Sequence, residues 1–408
     1  MLYAKSPIRV GYYPRVSPAS PLFTRRFVSL WLFQFGTFFS AFQLFPVIPL
    51  HIVDLGGSKG TAGLFLFVYT IASAFAAPVM GTVADHVGRR RMLIIASLLF
   101  VVFSILYGVV PWLPIVLLIG LVHGAIWSSL LSSASALMTD FIPVERRTQG
   151  LAYWGLASTA AISIAPAVGM HIYPLGWFAL CAEIATLSAI MAIWALRIPS
   201  GAMRATNAPL PRASELWDWS VVRTTLSLAV TSFGYGGVTS CVALLSRERG
   251  VKPESLFFTV FCVTIIVIRI FTSHLGDRYG MKVLLYPALV AMPLAFTMLA
   301  FAHDRAQMIL AGILFGIGLG NSFPAFMTFV VQHTDEQRRG RTFGSVILAF
   351  DTGIGLGSLV IAYIGGHAGF ATAFIVAAAL SCLAIPIFVV TSRQLARGTA
   401  VAAPAEHG

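Results

Sequence analysis

The sequence predicts an all-α membrane protein whose twelve transmembrane helices form two pseudo-symmetric six-helix bundles, and three observations carry that prediction. Apolar residues are 58% of the 408-residue chain and charged residues only 10%, at a mean hydropathy of +0.86, too little polar surface to cover a soluble globule. The apolar residues gather in twelve runs, each near the roughly 20 residues that cross the hydrocarbon as a helix. A charged turn, GTVADHVGRRRML at 81–93, returns in weaker form as SHLGDRYGMKVLL at 273–285, so that Asp85 and Asp277 stand 192 residues apart, about half the chain.

A basic, proline-containing tail occupies 1–27. The run after it, 28–50, is too long for a removable signal peptide and lacks a small-residue cleavage site, so it is the first span. The second and third spans, 61–80 and 92–110, flank the charged turn. The fourth, 113–139, carries Gly120, Gly124 and Ser128, which the repeat offset brings onto Gly312, Gly316 and Gly320 of the tenth; small residues at this spacing let helices approach closely. The fifth and sixth, 151–173 and 176–196, complete a first bundle over 28–197. A linker over 198–221 then breaks the hydropathy with Pro, Gly, Ser and charge. The second bundle, 222–391, has spans over 222–245, 255–273, 283–302, 306–330, 344–365 and 370–390, ahead of a tail over 392–408. No run alternates polar and apolar residues as a membrane β-strand would, so all are helices. Cys181, Cys241, Cys262 and Cys382 all lie within spans, where they pack as small apolar residues and report nothing about redox compartment.

With the amino terminus in the cytoplasm, 21 of the 27 Lys and Arg fall on that side. Only Lys59, Arg247, Arg249, Lys252 and Arg305 fall on the other, and Arg269 lies within a span. This asymmetry follows the positive-inside rule and predicts a multi-pass protein of the plasma (bacterial inner) membrane with both termini cytoplasmic. The net charge of +12 therefore reflects topology rather than nucleic-acid binding, which needs basic residues clustered on one folded patch. There is no HExxH, no paired Cys and His ligand set and no GxxxxGK(S/T) loop. Neither an enzyme nor a cofactor or metal is expected, and without an ATP site the energy has to come from a solute or ion gradient.

The motif GxxxDxxGRR(R/K), matched by Gly81, Asp85, Gly88, Arg89, Arg90 and Arg91, resembles the signature of the major facilitator superfamily of secondary transporters. With twelve spans and a half-chain repeat, the resemblance covers nearly the whole chain and is closest to the sugar-efflux and drug-efflux proton antiporters. It implies two halves rocking about a site near the midplane, with a gate on the cytoplasmic face. Gly81 and Gly88 would allow a tight turn and close helix contact. Asp85 is placed to accept hydrogen bonds from the amino terminus of a helix in the other half, where the dipole favours an anion. Asp140 fits the family's partner carboxylate at the end of the fourth helix, with Arg89 compensating it. Arg90, Arg147, Asp277 and Gly280 complete the gate set; the alternative for its arginines is a role in topology alone. In the second copy Ser273 replaces the first glycine, and Met281 and Lys282 replace the arginine pair, which weakens its claim to a gate.

Ionisable residues within spans are costly and mark function or pairing. Arg269 and Asp351 lie at comparable depth in the eighth and eleventh spans, and we expect them to form an ion pair, as a strut or as a coupling element. Glu183 in the sixth span reaches toward water on the preferred reading and carries a proton on the other. Where many family members have RxxQG in the fourth helix, this chain has GLVHG at 120–124. No coupling arginine is therefore carried over, and His123 either packs as a hydrogen-bonded core residue or titrates. The family's GPxxGG pattern is reduced to APAVGM at 165–170, which favours antiport only mildly.

In this fold the first, fourth, seventh and tenth helices line the substrate cavity, which assigns Gln34, Gln43, His123, Trp127, Tyr235, Thr239, Asn321 and Phe323 to it. An apolar, aromatic pocket with a few hydrogen-bonding groups suits a small amphipathic organic solute. The expected function is secondary active transport of such a solute by alternating access, as proton-coupled efflux, by a monomer whose partners are the substrate and the lipid bilayer. Facilitated diffusion, proton-symport uptake and a transporter-derived sensor are the competing functions.

Overall fold

Thr24 opens the first helix by accepting from Phe27 N at 3.2 Å, and Ser58 opens the second by accepting from Thr61 N at 3.0 Å; each satisfies an amide the helix itself leaves unpaired. The structure, a computed structural model, describes residues 21–199, 225–279, 282–320, 322, 326 and 339–401. Among these residues the first six helices are α1 (Arg25–Asp54), α2 (Lys59–Val87), α3 (Arg89–Val109), α4 (Leu113–Phe141), α5 (Arg147–Ile172) and α6 (Trp177–Ala195). The second six are α7 (Leu226–Glu248), α8 (Leu256–Tyr279), α9 (Lys282–Phe301), α10 (Arg305–Gly320), α11 (Arg339–His367) and α12 (Gly369–Val401). Ten contain stretches long and apolar enough to cross a membrane, and the apolar stretches Leu256–Thr272 and Arg305–Gly320 are shorter. Residues 200–221 of the linker, Gly280, Asn321 and Phe323 lie outside the described residues.

Helix packing repeats from one half to the other. In the first half α2 packs on α4, α1 on α5 and α6, and α3 on α4 and α6. Six helices later, α8 packs on α10, α7 on α11 and α12, and α9 on α10 and α12. Between the halves α2 packs on α11 and α5 on α8, pairs that exchange under the same shift, and α1 meets α7. The small-residue repeat sits at the α2–α4 and α8–α10 crossings within each half: a Cβ on Gly124 would come within 2.0 Å of Tyr69 O, and one on Gly316 within 2.7 Å of Thr264 Cβ.

The charged motif is more helical than its charge suggests. α2 continues through Asp85 to Val87, and the whole turn into α3 is Gly88 at φ 98°, a conformation that residues with a Cβ rarely adopt. Gly81 has a different standing from the one expected. The nearest atoms to a Cβ there are those of Ser132 at 3.8 and 3.9 Å, so its neighbours leave room for a methyl group.

Candidate functional site

The two ends of the helix bundle differ in what their charges do. At the end carrying Asp85, Arg89 Nε donates to Asp85 Oδ1 and Arg89 Nη1 to Asp140 Oδ2, both at 2.9 Å, and Nη1 also reaches Ala136 O at 3.2 Å. One guanidinium thus binds the last turn of α2 to that of α4, where a carboxylate at a helix carboxyl end needs a cation. Arg90 donates to the carbonyls of Ala195 and Leu196, capping α6. Arg147 is exposed and has no side-chain partner among the described residues. Of the second copy, Asp277 lies within α8, its side chain outside the described set.

On α11, the helix of the other half packed on α2, residues 331–338 ahead of it and the side chains of 339–345 lie outside the described residues, and with them the expected bond from a helix amino terminus to Asp85. The described partner of Asp85 is Arg89, four residues on in its own half, because α2 stays helical through the motif and places the two side chains on one face.

Among the described residues, the ion pairs that join the halves lie at the other end, which carries Asp54. Arg247 Nη1 on α7 donates to Asp54 Oδ1 on α1 at 2.7 Å, and Lys59 on α2 pairs with Glu248 on α7. Tyr173 donates to the second Asp54 oxygen, and Arg247 Nε reaches Glu254 Oε1 at 3.2 Å. Beside them Arg249 caps α9 through the carbonyls of Leu299, Ala300 and Ala302. Burial lowers the Arg249 pKa from the ordinary arginine value, while Glu248 pulls it back up. The sequence reading missed Asp54, Glu248 and Glu254. One signal was available: the 192-residue offset carries Asp54 to Ser246, next to Arg247.

From Lys59 the contact between halves runs along α2 and α11 as a stripe of small and polar residues. Ser358 Oγ donates to Gly63 O at 2.8 Å, a Cβ on Gly355 would sit 2.4 Å from Thr70 Oγ1, and Ser73 Oγ donates to Asp351 Oδ2 at 3.0 Å. The expected Arg269 and Asp351 ion pair is therefore replaced. Asp351 is turned across the interface to Ser73, whereas Arg269 donates from Nε and Nη2 to Gly320 O at 3.3 and 3.2 Å. Helix packing is the reason: α8 lies on α10 and α5, while α11 presents Asp351 to α2.

Most residues assigned to the substrate cavity pack within their own half. Gln43 Nε2 donates to Glu183 Oε1 at 3.2 Å, joining α1 to α6. That corrects the preferred reading of Glu183 as reaching for water, since its Oε2 is buried without a partner. Trp127 meets Phe38 edge-on at 4.8 Å and lies over Phe100 at 6.4 Å. Thr239 Oγ1 donates to Tyr235 O at 2.8 Å, and the Tyr235 ring stacks on Phe315 at 6.2 Å. Gln34 Oε1 and the Tyr235 hydroxyl are buried without partners.

His123 is held by aromatic rings from α2 and α3, with Phe100 at 4.3 Å and Tyr69 and Phe103 at 5.0 Å, and its Nδ1 lies 3.3 Å from the Tyr107 hydroxyl. The repeat offset carries His123 to Phe315, Tyr69 to Phe261 and Ser104 to Phe296. Those phenylalanines form the matching cage, with Phe315 5.3 Å from Phe261 and 5.9 Å from Phe296. The first half is the same core made polar. Where Ser104 stands for a phenylalanine, a cavity of about 10 Å³ opens beside His123, Ser40 and Tyr107, enough for about one water molecule.

Comparison with known proteins agrees with this architecture. A family model described as Major Facilitator Superfamily matches residues 30–255 and 224–406. The chain is 24% identical over 374 residues to the multi-drug resistance efflux pump PmrA homolog of Lactococcus lactis, covering 85% of this chain and 90% of the relative. It is 27% identical over 382 residues to the multidrug resistance protein MdtG of Salmonella paratyphi C, covering 87% and 92%. Among solved structures, a POT family transporter in complex with 5-aminolevulinic acid superposes with a TM-score of 0.77 at 14% identity, over 93% of this chain and 98% of that one. The nucleoside transporter NupG does so with 0.68 at 16%, over 90% and 99%. At these identities the structural likeness shows the fold alone.

Proposed function

The chain belongs to the Major Facilitator Superfamily, a transporter of the membrane-embedded kind, and from that premise we propose that it exports a small amphipathic organic solute by alternating access, driven by the proton gradient. The observation that carries the export reading is the likeness over most of its length to relatives named as multidrug efflux pumps. The distribution of basic residues supports reading the Asp85 end as cytoplasmic, with both termini inside and the plasma membrane as the site. The Asp54 end then faces out, and its ion pairs hold this conformation closed to the outside.

Exposed ion pairs suit that task. Each contributes about 0.2–1 kcal/mol, enough to bias a two-state equilibrium and little enough for each cycle to break it. The described partners of Arg89 all belong to its own half, and that cluster travels with the half as a unit. The part-buried carboxylates of Glu183 and Asp351 are the groups through which a proton would act, and neither needs a cofactor.

The test is a substrate screen in proteoliposomes with an imposed pH gradient. Solute accumulation that stops when the gradient is collapsed supports the reading. Equilibration without accumulation makes the protein a facilitated-diffusion carrier, and ligand binding without any movement makes it a sensor.

A further inference from the structure

We propose that Glu183 is a proton-binding site within the membrane, neutral in this conformation, and that Gln43 is its positioning residue. The proposal deepens the proton-driven reading by naming a group that holds the proton, and it rests on that reading only for its part in transport.

Gln43 has no exposed surface (0%) and is pressed by α5, where a Cβ on Gly169 would lie 2.5 Å from the Gln43 carbonyl oxygen. Its one side-chain bond is from Nε2 to Glu183 Oε1 at 3.2 Å, which leaves two buried acceptors without partners, Gln43 Oε1 and Glu183 Oε2. An ionised carboxylate only accepts hydrogen bonds. Here it would have a single neutral donor in an apolar setting, an arrangement that membranes penalise heavily. A proton on Oε2 removes the charge and supplies the donor that the two acceptors lack. Turning the Gln43 amide end for end leads to the same result, because two oxygens at that distance attract only if one carries a hydrogen.

No charged neighbour offers another solution. α6 packs on α1, α3 and α5. Of the titratable groups on these helices, His51 stacks on Trp177, His171 bonds Ala167 O, and the Tyr107 hydroxyl bonds His123. Cys181 on α6 is a free thiol. Arg25, Arg26, Tyr153, Arg147, Arg89, Arg90, Arg91 and Asp54 lie toward the helix ends, and among the described residues none of these groups bonds Glu183. About three turns beyond Gln43, α1 also carries Asp54, so the proton site and the closure between the halves share one rigid element.

The test is infrared spectroscopy of the full chain in lipid vesicles, in light and heavy water, comparing wild type with Glu183→Gln, Gln43→Leu and Asp351→Asn. A carboxylic-acid carbonyl band is expected at neutral pH. It should shift on deuteration, vanish in Glu183→Gln, move to higher frequency in Gln43→Leu and persist in Asp351→Asn, the control for the other intramembrane carboxylate. A spectrum unchanged by Glu183→Gln, or a band that appears only in acid as for a solvated glutamate, overturns the proton site. A band unmoved by Gln43→Leu overturns the positioning role. Because this readout needs no substrate, a Glu183 band in a protein indifferent to the pH gradient would uphold the proton site while removing the proton-driven reading.

Discussion

Arg247 Nη1 lies 2.7 Å from Asp54 Oδ1, an ion pair between the ends of α7 and α1 that ties one half of the molecule to the other. The side chains are 34% and 46% exposed, so the pair is worth about 0.2–1 kcal/mol and is screened by salt. Asp54→Asn should shift the closed-to-open equilibrium by at most about fivefold, and the exchanged pair Asp54→Arg with Arg247→Asp should restore part of it. Distances between spin labels on the α1–α2 and α7–α8 turns measure the shift. Identical distance distributions in wild type and Asp54→Asn at low salt would show that the pair does not bias closure.

Arg89 serves Asp85, Asp140 and the Ala136 carbonyl at once. Arg89→Ala strips a partly buried cluster of its only described cation and should cost about 1–3 kcal/mol, seen as a lower midpoint of thermal unfolding in detergent. Arg89→Lys should recover only part of that, since a point charge cannot replace the planar fork. Asp140, with 22% side-chain exposure against 35% for Asp85, should be the costlier carboxylate to leave unpaired. An Arg89→Ala midpoint equal to wild type would contradict this account.

The glycines divide by what surrounds them. Gly124→Ala drives a Cβ to within 2.0 Å of the Tyr69 carbonyl and should separate α2 from α4 at a cost of about 1–3 kcal/mol or more. Gly81→Ala, with Ser132 no nearer than 3.8 Å, should leave stability within about 0.5 kcal/mol of wild type. Expression level and thermal unfolding of the two variants decide between this ranking and its reverse.

His123 tests whether the polar core of the first half is needed for transport. Its counterpart is Phe315, and the cavity beside it gives a larger ring some room. His123→Phe should cost about 1 kcal/mol through the loss of one hydrogen bond with Tyr107 and keep transport, whereas His123→Ala enlarges the cavity and should cost about 2–5 kcal/mol. Loss of transport in a well-folded His123→Phe protein would assign the imidazole a working role.

Asp351 and Arg269 have separate partners, Ser73 and the Gly320 carbonyl. In a double-mutant cycle with Asp351→Asn and Arg269→Gln, the stability effects should add within about 0.5 kcal/mol. A larger coupling energy would restore the direct pair that charge and depth alone suggest.

The sequence by itself determined the class, the number of spans and the family, because hydrocarbon demands long apolar runs and leaves charges at their ends. It also marked Gly88, since a single-residue turn between charged helix ends needs a backbone free to take φ 98°. Partner choice came only with the tertiary structure. Asp351 had an arginine at matching depth but the wrong helix beside it, and Glu183 took Gln43 rather than water. Depth is one-dimensional and can be counted along the chain, whereas the azimuth of a side chain around its helix acquires a partner only once the helices have packed. For the same reason, the described ions joining the two halves include Asp54 and Arg247, where α1 and α7 converge.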